Sequence, residues 1–249
     1  LAVGSTRPCL FCGSVGVKLT KEHVYPRWLY RALKPPGIGD TVTGSWKGHE
    51  VRQMKGVDIR YGGVCSGCNN GWMHDLEHAF RSVMLPALTG EAALPGHALR
   101  LDKGVQQVVA AWGVKTWLLL ELALEHMRHA AVRSDTVLTY LYRHHRPPDE
   151  VQVFLGVAPA PWESFSEFST IGIPRSPKPV AALSLLTIGK LAFYFFVPEI
   201  LAGSRSANPL QLGGDMTAAL SQIWPYQVAE IRWPPAAVLS REAIKGVFL

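Results

Sequence analysis

Two Cys-x-x-Cys pairs, Cys9–Cys12 and Cys65–Cys68, constrain this chain more than any other feature of its sequence. Each pair puts two thiols on one tight turn, so two such knuckles can present four sulfurs to a tetrahedral zinc ion. Four thiolates close the coordination shell and leave no position for substrate, so a zinc ion held there is structural. The 52 residues between Cys12 and Cys65 exceed what a simple zinc ribbon needs, which leaves room in the loop for a further function. Disulfides or a redox dithiol are the competing readings. A redox pair needs no second copy, and the glycines beside the cysteines, Gly13 and Gly67, suit knuckles. The last 181 residues hold no cysteine, unlike a small secreted scaffold with cysteines spread along its length. The pattern points to a metal in a reducing, intracellular compartment, the cytoplasm. The first residues, LAVGSTRPC, lack a charged stretch followed by an apolar run, so no secretory signal is read there.

Hydrophobic residues make up 48% of the chain and charged residues 18%, the balance of a packed core and not of disorder. The formal charge is +6, and its distribution says more than its size. Residues 1–85 carry 11 Lys+Arg against 6 Asp+Glu, whereas the remainder carries 14 against 13. A basic excess confined to the cysteine-bearing third suits a polyanionic partner, nucleic acid above all. The two most apolar stretches, Val105–Ala123 and Ala181–Val197, are interrupted by Lys115, Glu121 and Lys190. They read as core elements and not as membrane spans.

The expected fold class is α+β: a zinc-stabilised module over residues 1–87, a Gly/Pro/Ala-rich linker over 88–102, and a larger α+β domain over 103–249. In the module, Val15–Leu19 reads as a short strand, Arg27–Ala32 as a helical turn, and Asp40–Arg60 as the strands of a hairpin. Asn69–Ala87 has helical spacing, with Trp72, Leu76, Ala79, Phe80 and Val83 on one face. In the second domain Asp102 caps a long buried helix, Lys103–Ala130, and a second helix runs from Ser134 to about His145. Strands follow at Val151–Val157, Phe165–Ile173, Ala182–Ile188 and Leu191–Val197, with Gly189–Lys190 as a hairpin turn. Met216–Ile223 reads as helix, Gln227–Arg232 as strand and Ser240–Phe248 as a terminal helix. The second domain leaves open a protein partner or self-association.

The order Cys9-Leu-Phe-Cys12, then Lys21-Glu22-His23-Val24-Tyr25-Pro26, then Cys65-Ser-Gly-Cys68-Asn69-Asn70-Gly71-Trp72 resembles the four-cysteine branch of the HNH, or ββα-metal, nucleases. The resemblance covers residues 7–80. In that family an acidic residue followed by His sits on the first strand, and Asn or His opens the helix after the second cysteine pair. The resemblance therefore implies an endonuclease that hydrolyses phosphodiester bonds, with DNA as the favoured substrate. His23 would activate water, while Glu22 and Asn69 would hold one Mg²⁺ or Mn²⁺ against the scissile phosphate. These residue types suit the chemistry. A neutral imidazole is an effective general base near neutral pH, and a hard cation needs oxygen ligands. Asn70 and His74, four apart on one helix face, are reserve ligands. Glu77, a turn further on, reads as a solvated acid. Lys21, Arg27 and Arg60 are the basic residues best placed by sequence to contact phosphate. The rival from another class is a zinc-finger nucleic-acid-binding protein with no catalysis.

Overall fold

The computed structural model describes residues 7–33, 41–46, 49–55, 59–123, 134–158, 166–175, 178–198, 210–213, 215–238 and 240. Helices and strands are mixed along the chain, as an α+β protein requires. The first strand, β1 (Leu19–His23), is followed by helix α1 (Arg27–Leu33), the strands β2 (Thr41–Trp46) and β3 (His49–Lys55), and β4 (Arg60–Cys65). β1 starts at Leu19 and not at Val15, because the chain first folds back beside Cys9: Cys9 N–H donates to Ser14 O at 2.9 Å. β1 and β4 pair antiparallel, and β4 runs directly into a helical turn, α2 (Ser66–Cys68).

The helix expected from Asn69 is broken at its start. Residues Asn69–Met73 form a wide π turn with a kink at Gly71, and the regular helix α3 spans His74–Thr89. Its buried residues, Phe80, Met84, Ala87 and Leu88, extend the expected stripe toward the C-terminal end.

Part of the stretch read as a linker is structured. Gly90 ends α3 in the left-handed conformation, a short 3₁₀ turn covers Glu91–Ala93, and β5 (Leu99–Asp102) pairs with the late strand β11 (Glu230–Trp233). Asp102 then caps α4 (Lys103–Ala123), its Oδ1 accepting from Val105 N–H at 2.9 Å. Every α4 residue from Val109 to Glu121 is buried, which explains why its apolar residues cover the whole circumference. The expected extension of α4 to Ala130 lies outside the described residues. Among those described, no helix is long and apolar enough to cross a membrane.

Beyond α5 (Ser134–His144), the strands β6 (Gln152–Val157), β7 (Ser166–Arg175), β8 (Lys178–Ile188) and β9 (Leu191–Pro198) fall close to their expected positions. The run Met216–Ile223 divides into α6 (Asp215–Ala219) and β10 (Leu220–Trp224). β10 pairs with β6 and buries Leu220, Ile223 and Trp224, a strand-compatible burial that overrides the helical periodicity. The expected terminal helix after Ser240 lies outside the described residues.

Seven strands form one sheet in the order β10-β6-β9-β8-β7-β2-β3, and only the β7–β2 pair is parallel. The β2–β3 hairpin, expected inside the N-terminal module, thus extends the sheet of the C-terminal part. The larger of two cores runs from Cys9, Phe11 and Val64 through Phe80 and Trp112 to Phe193, Phe195 and Trp233, and a second, smaller one gathers Phe154, Leu183, Tyr194 and Phe196. The Phe80 and Trp112 rings stack with centroids 3.8 Å apart, and Trp117 stacks on Phe195 at 5.1 Å, so α4 is clamped between α3 and the sheet.

Candidate functional site

The cysteine centre is assembled from two loop ends. Cys9 and Cys12 lie on a turn closed by Gly13 N–H to Cys9 O at 2.9 Å, and Gly13 itself takes φ +72°, a conformation costly for other residues. Cys65 ends β4 and Cys68 sits one helical turn later. The four Sγ atoms lie within 4.8 Å of one another, with Cys12–Cys65 at 3.7 Å and Cys9–Cys68 at 3.9 Å. A tetrahedral zinc with bonds of ~2.3 Å puts its sulfurs about 3.8 Å apart, so these residues fit the ion. Backbone N–H groups already point at the sulfurs: Cys65 N donates to Cys9 Sγ at 3.3 Å and Cys68 N to Cys65 Sγ at 3.4 Å. Burial pushes the Cys65 and Cys68 thiols up. Burial acts the same way on Cys12, but the Ser14 side chain and backbone outweigh it and bring that thiol down to about 6. No disulfide joins the four.

From the sulfurs, hydrogen bonds lead to β1. Leu10 N–H donates to Gly63 O at 2.9 Å, tying the first knuckle to β4. Between Thr20 and Glu22 the β1–β4 register slips: Thr20 faces Val64, Glu22 faces Tyr61 and His23 faces Arg60. Lys21 alone on β1 therefore opposes two residues on β4, which places a bulge at Gly62–Gly63. A Cβ at Gly63 would sit 2.4 Å from the Tyr61 ring, so any other residue there has to displace that ring. Asn69, in the turn after Cys68, donates its side-chain N–H to Thr20 Oγ1 at 3.1 Å, and Thr20 Oγ1 in turn donates to Val64 O at 2.9 Å. Asn69 thus faces the strand that carries Glu22 and His23.

The two strand residues have different surroundings. His23 is half-buried at the end of β1, whereas Glu22 is only 6% exposed. Glu22 lies within electrostatic reach of Lys115 on α4 and Glu77 on α3, and its carboxylate accepts the His23 backbone N–H. Lys115 is fully buried and donates to Glu77 Oε1 at 2.8 Å. The sequence reading of Glu77 as a solvated acid is therefore corrected: its side chain is 18% exposed and engaged with a buried ammonium. Lys115 carries no local signal, since in sequence it only interrupts an apolar run.

The remaining candidates lie on the surface. Asn70, His74, Lys21, Arg27 and Arg60 are all exposed. Trp28 and Trp72 pack inward: Trp28 meets Phe80, and Trp72 meets Phe11, Tyr142 and His145. A groove of about 630 Å³ opens beside Cys12, Cys65 and Cys68, and Trp72, Tyr142, Arg143 and His145 line its other side. The end of α5 therefore borders the cysteine centre, a contact no motif announces.

A divalent ion on Glu22 is a different matter from zinc on the sulfurs. Mg²⁺ and Mn²⁺ favour several oxygen ligands, and Mg²⁺ keeps bound waters. Glu22 is buried and faces an ammonium. Among the described residues the four cysteines are the only group of three or more Cys, His, Asp or Glu close enough to hold one ion. Burial of Glu22 and the charge of Lys115 both oppose a divalent ion there.

Burial, with Glu77 adding to it and Lys115 opposing it, raises the Glu22 carboxyl from 4.5 to about 7. The folded protein then holds this proton more tightly than the unfolded chain does. Its stabilising contribution is complete below the unfolded value and is lost as pH rises through about 7. The expected loss is on the order of 3 kcal/mol across that window. Denaturant titrations from pH 5 to 8 should show it in the wild type and not in Glu22→Gln; parallel curves for the two proteins would refute it.

No family model, no curated protein and no solved structure matches the chain.

Proposed function

We propose that this chain is a nucleic-acid endonuclease of ββα-metal type, a hydrolase of phosphodiester bonds stabilised by a zinc ion on Cys9, Cys12, Cys65 and Cys68, with DNA the favoured substrate. The observation that carries the reading is the Asn69–Thr20 hydrogen bond. It joins the turn after the second cysteine pair to the strand bearing Glu22 and His23, within a strand–strand–helix unit bounded by four clustered sulfurs. His23 is the general base in this reading. Its imidazole takes a proton from the attacking water, work that a neutral ring nitrogen can do. Arg60 stands directly across the ladder from His23, and exposed Lys21 and Arg27 extend the basic surface. Burial of Glu22 opposes the Mg²⁺ or Mn²⁺ expected between Glu22 and Asn69, so in this reading the catalytic work falls chiefly to His23 and the basic surface.

That same burial favours a second reading, a zinc-finger nucleic-acid-binding protein that does not cut. Labelled single- and double-stranded DNA and RNA, incubated with Mg²⁺ or Mn²⁺ and either zinc-loaded wild type or His23→Ala, separate the two. Cleavage by the wild type alone supports the enzyme. Binding without cleavage by either protein selects the second reading, and absence of both sinks each of them.

Both readings share an expectation for salt. If Lys21, Arg27 and Arg60 each meet a phosphate of duplex DNA, affinity falls with a log–log slope of about −2.7, and each alanine variant removes roughly one unit of slope. Fluorescence anisotropy over a salt series measures this. Slopes unchanged in all three variants would remove these residues from the interface.

A further inference from the structure

The feature the proposed function leaves unused is the cluster of Glu22, Glu77 and Lys115. It joins three elements: β1 supplies Glu22, α3 supplies Glu77, and α4, far from the cysteine pairs in sequence, supplies Lys115. Lysine is almost never fully buried unless its charge is paired. Here the ammonium is enclosed where α4 is buried on all sides, and it meets Glu77 at 2.8 Å. With all three groups ionised the cluster carries one net negative charge, and an unbalanced buried charge is costly. Retaining one proton restores balance, in agreement with the upward displacement of the Glu22 carboxyl.

We propose that Lys115 is the built-in counter-ion of this site: its ammonium pairs directly with Glu77 at 2.8 Å, sits within electrostatic reach of the buried Glu22, and takes the place of a divalent ion there. Lys115 is in this sense a positioning residue, which fixes Glu22 without touching substrate. The physical case is one of competition. A divalent ion brought to Glu22 would be repelled by the Lys115 charge, which acts on Glu22 through a poorly screened interior. It would also have to shed water to enter a space where Glu22 is 6% exposed and the Lys115 side chain not at all. Lys115 cannot swing away to solvent, because Val114, Thr116 and the residues around them on α4 are themselves fully buried. The inference rests on the ββα reading only for the role expected of Glu22, and its test reads ion binding instead of cleavage. The failure of one is therefore distinguishable from the failure of the other.

The test is a Mn²⁺ titration of the full-length, zinc-loaded protein, with free Mn²⁺ followed by electron paramagnetic resonance. The wild type should show no saturable site tighter than ~1 mM that depends on Glu22, the weak end of biological oxygen-ligand sites. Lys115→Met withdraws the ammonium and leaves the Glu22 and Glu77 carboxylates without their counter-charge. That variant should bind Mn²⁺ at least about tenfold more tightly than the wild type, and adding Glu22→Gln should erase the gain. A structural tether between α3 and α4 alone predicts no such gain. A sub-millimolar wild-type site abolished by Glu22→Gln would overturn the proposal. A folded Lys115→Met protein with unchanged Mn²⁺ affinity would do the same. If Lys115→Met does not fold, the comparison of wild type with Glu22→Gln decides alone.

Discussion

Removing the metal, or replacing one ligand as in Cys65→Ser, is expected to unfold the N-terminal unit and drag much of the molecule with it. Structural zinc in small peptides contributes on the order of 10 kcal/mol, comparable to the whole stability of a typical domain. Here it has little local support to fall back on. Residues 7–18 form no helix or strand, and their described main-chain tie to β4 is the Leu10–Gly63 hydrogen bond. Without an ion, four sulfurs within 4.8 Å of one another lose their reason to converge, and as thiolates they repel. The damage should spread because Phe11, Val64 and Met73 are fully buried in the same core as Trp112 and Phe193. Purified protein should contain one zinc per chain by atomic emission. Chelation or Cys65→Ser should lower the thermal midpoint and release the tryptophans to solvent. A zinc-free preparation that melts like the untreated protein would refute a structural ion.

How much of this was legible in the sequence depends on range. Signals carried by neighbouring residues came through. The cysteine pairs predicted their own cluster, Asp102 its cap on α4, and Gly189–Lys190 the turn between β8 and β9. Contacts set by distant chain segments did not. The parallel pairing of β2 with β7 joins residues more than a hundred positions apart, and it makes the hairpin from the cysteine loop an edge of the main sheet. The bulge at Gly62–Gly63 depends on how two strands separated by 36 residues align, which no local pattern encodes. The Glu77–Lys115 pair spans 38 positions. Each partner alone has an ordinary explanation, an acid on a helix and a charge interrupting an apolar stretch. Only burial on both sides turns them into one site. For the same reason the residues alone read as strand only over Val15–Leu19, the resemblance alone implied a strand at Glu22 and His23, and the environment of Glu22, set by α4, was not foreseen.

His23→Ala is the substitution with the largest expected effect on activity, and its meaning depends on what it leaves intact. Loss of a general base costs ~10²–10⁴-fold in rate, so residual cleavage should be near the detection limit and not merely reduced. The four sulfurs do not involve His23, so zinc content should stay at the wild-type level. His23 is half-buried at the end of a strand whose pairing to β4 runs through the backbone, which should keep the fold. The exposed Lys21, Arg27 and Arg60 are untouched, so nucleic-acid affinity and its salt slope should change little. His23→Gln, which keeps a polar side chain of similar reach but cannot serve as a base at neutral pH, should be as inactive as alanine. If glutamine restores cleavage, the imidazole acts by position or hydrogen bonding and not by proton transfer. Equal cleavage by wild type and His23→Ala, prepared identically, would place the activity elsewhere in the chain or in a contaminant. A wild type that binds every nucleic acid offered and cuts none would leave the four sulfurs, the basic surface and the Lys115 cluster as parts of a binding protein.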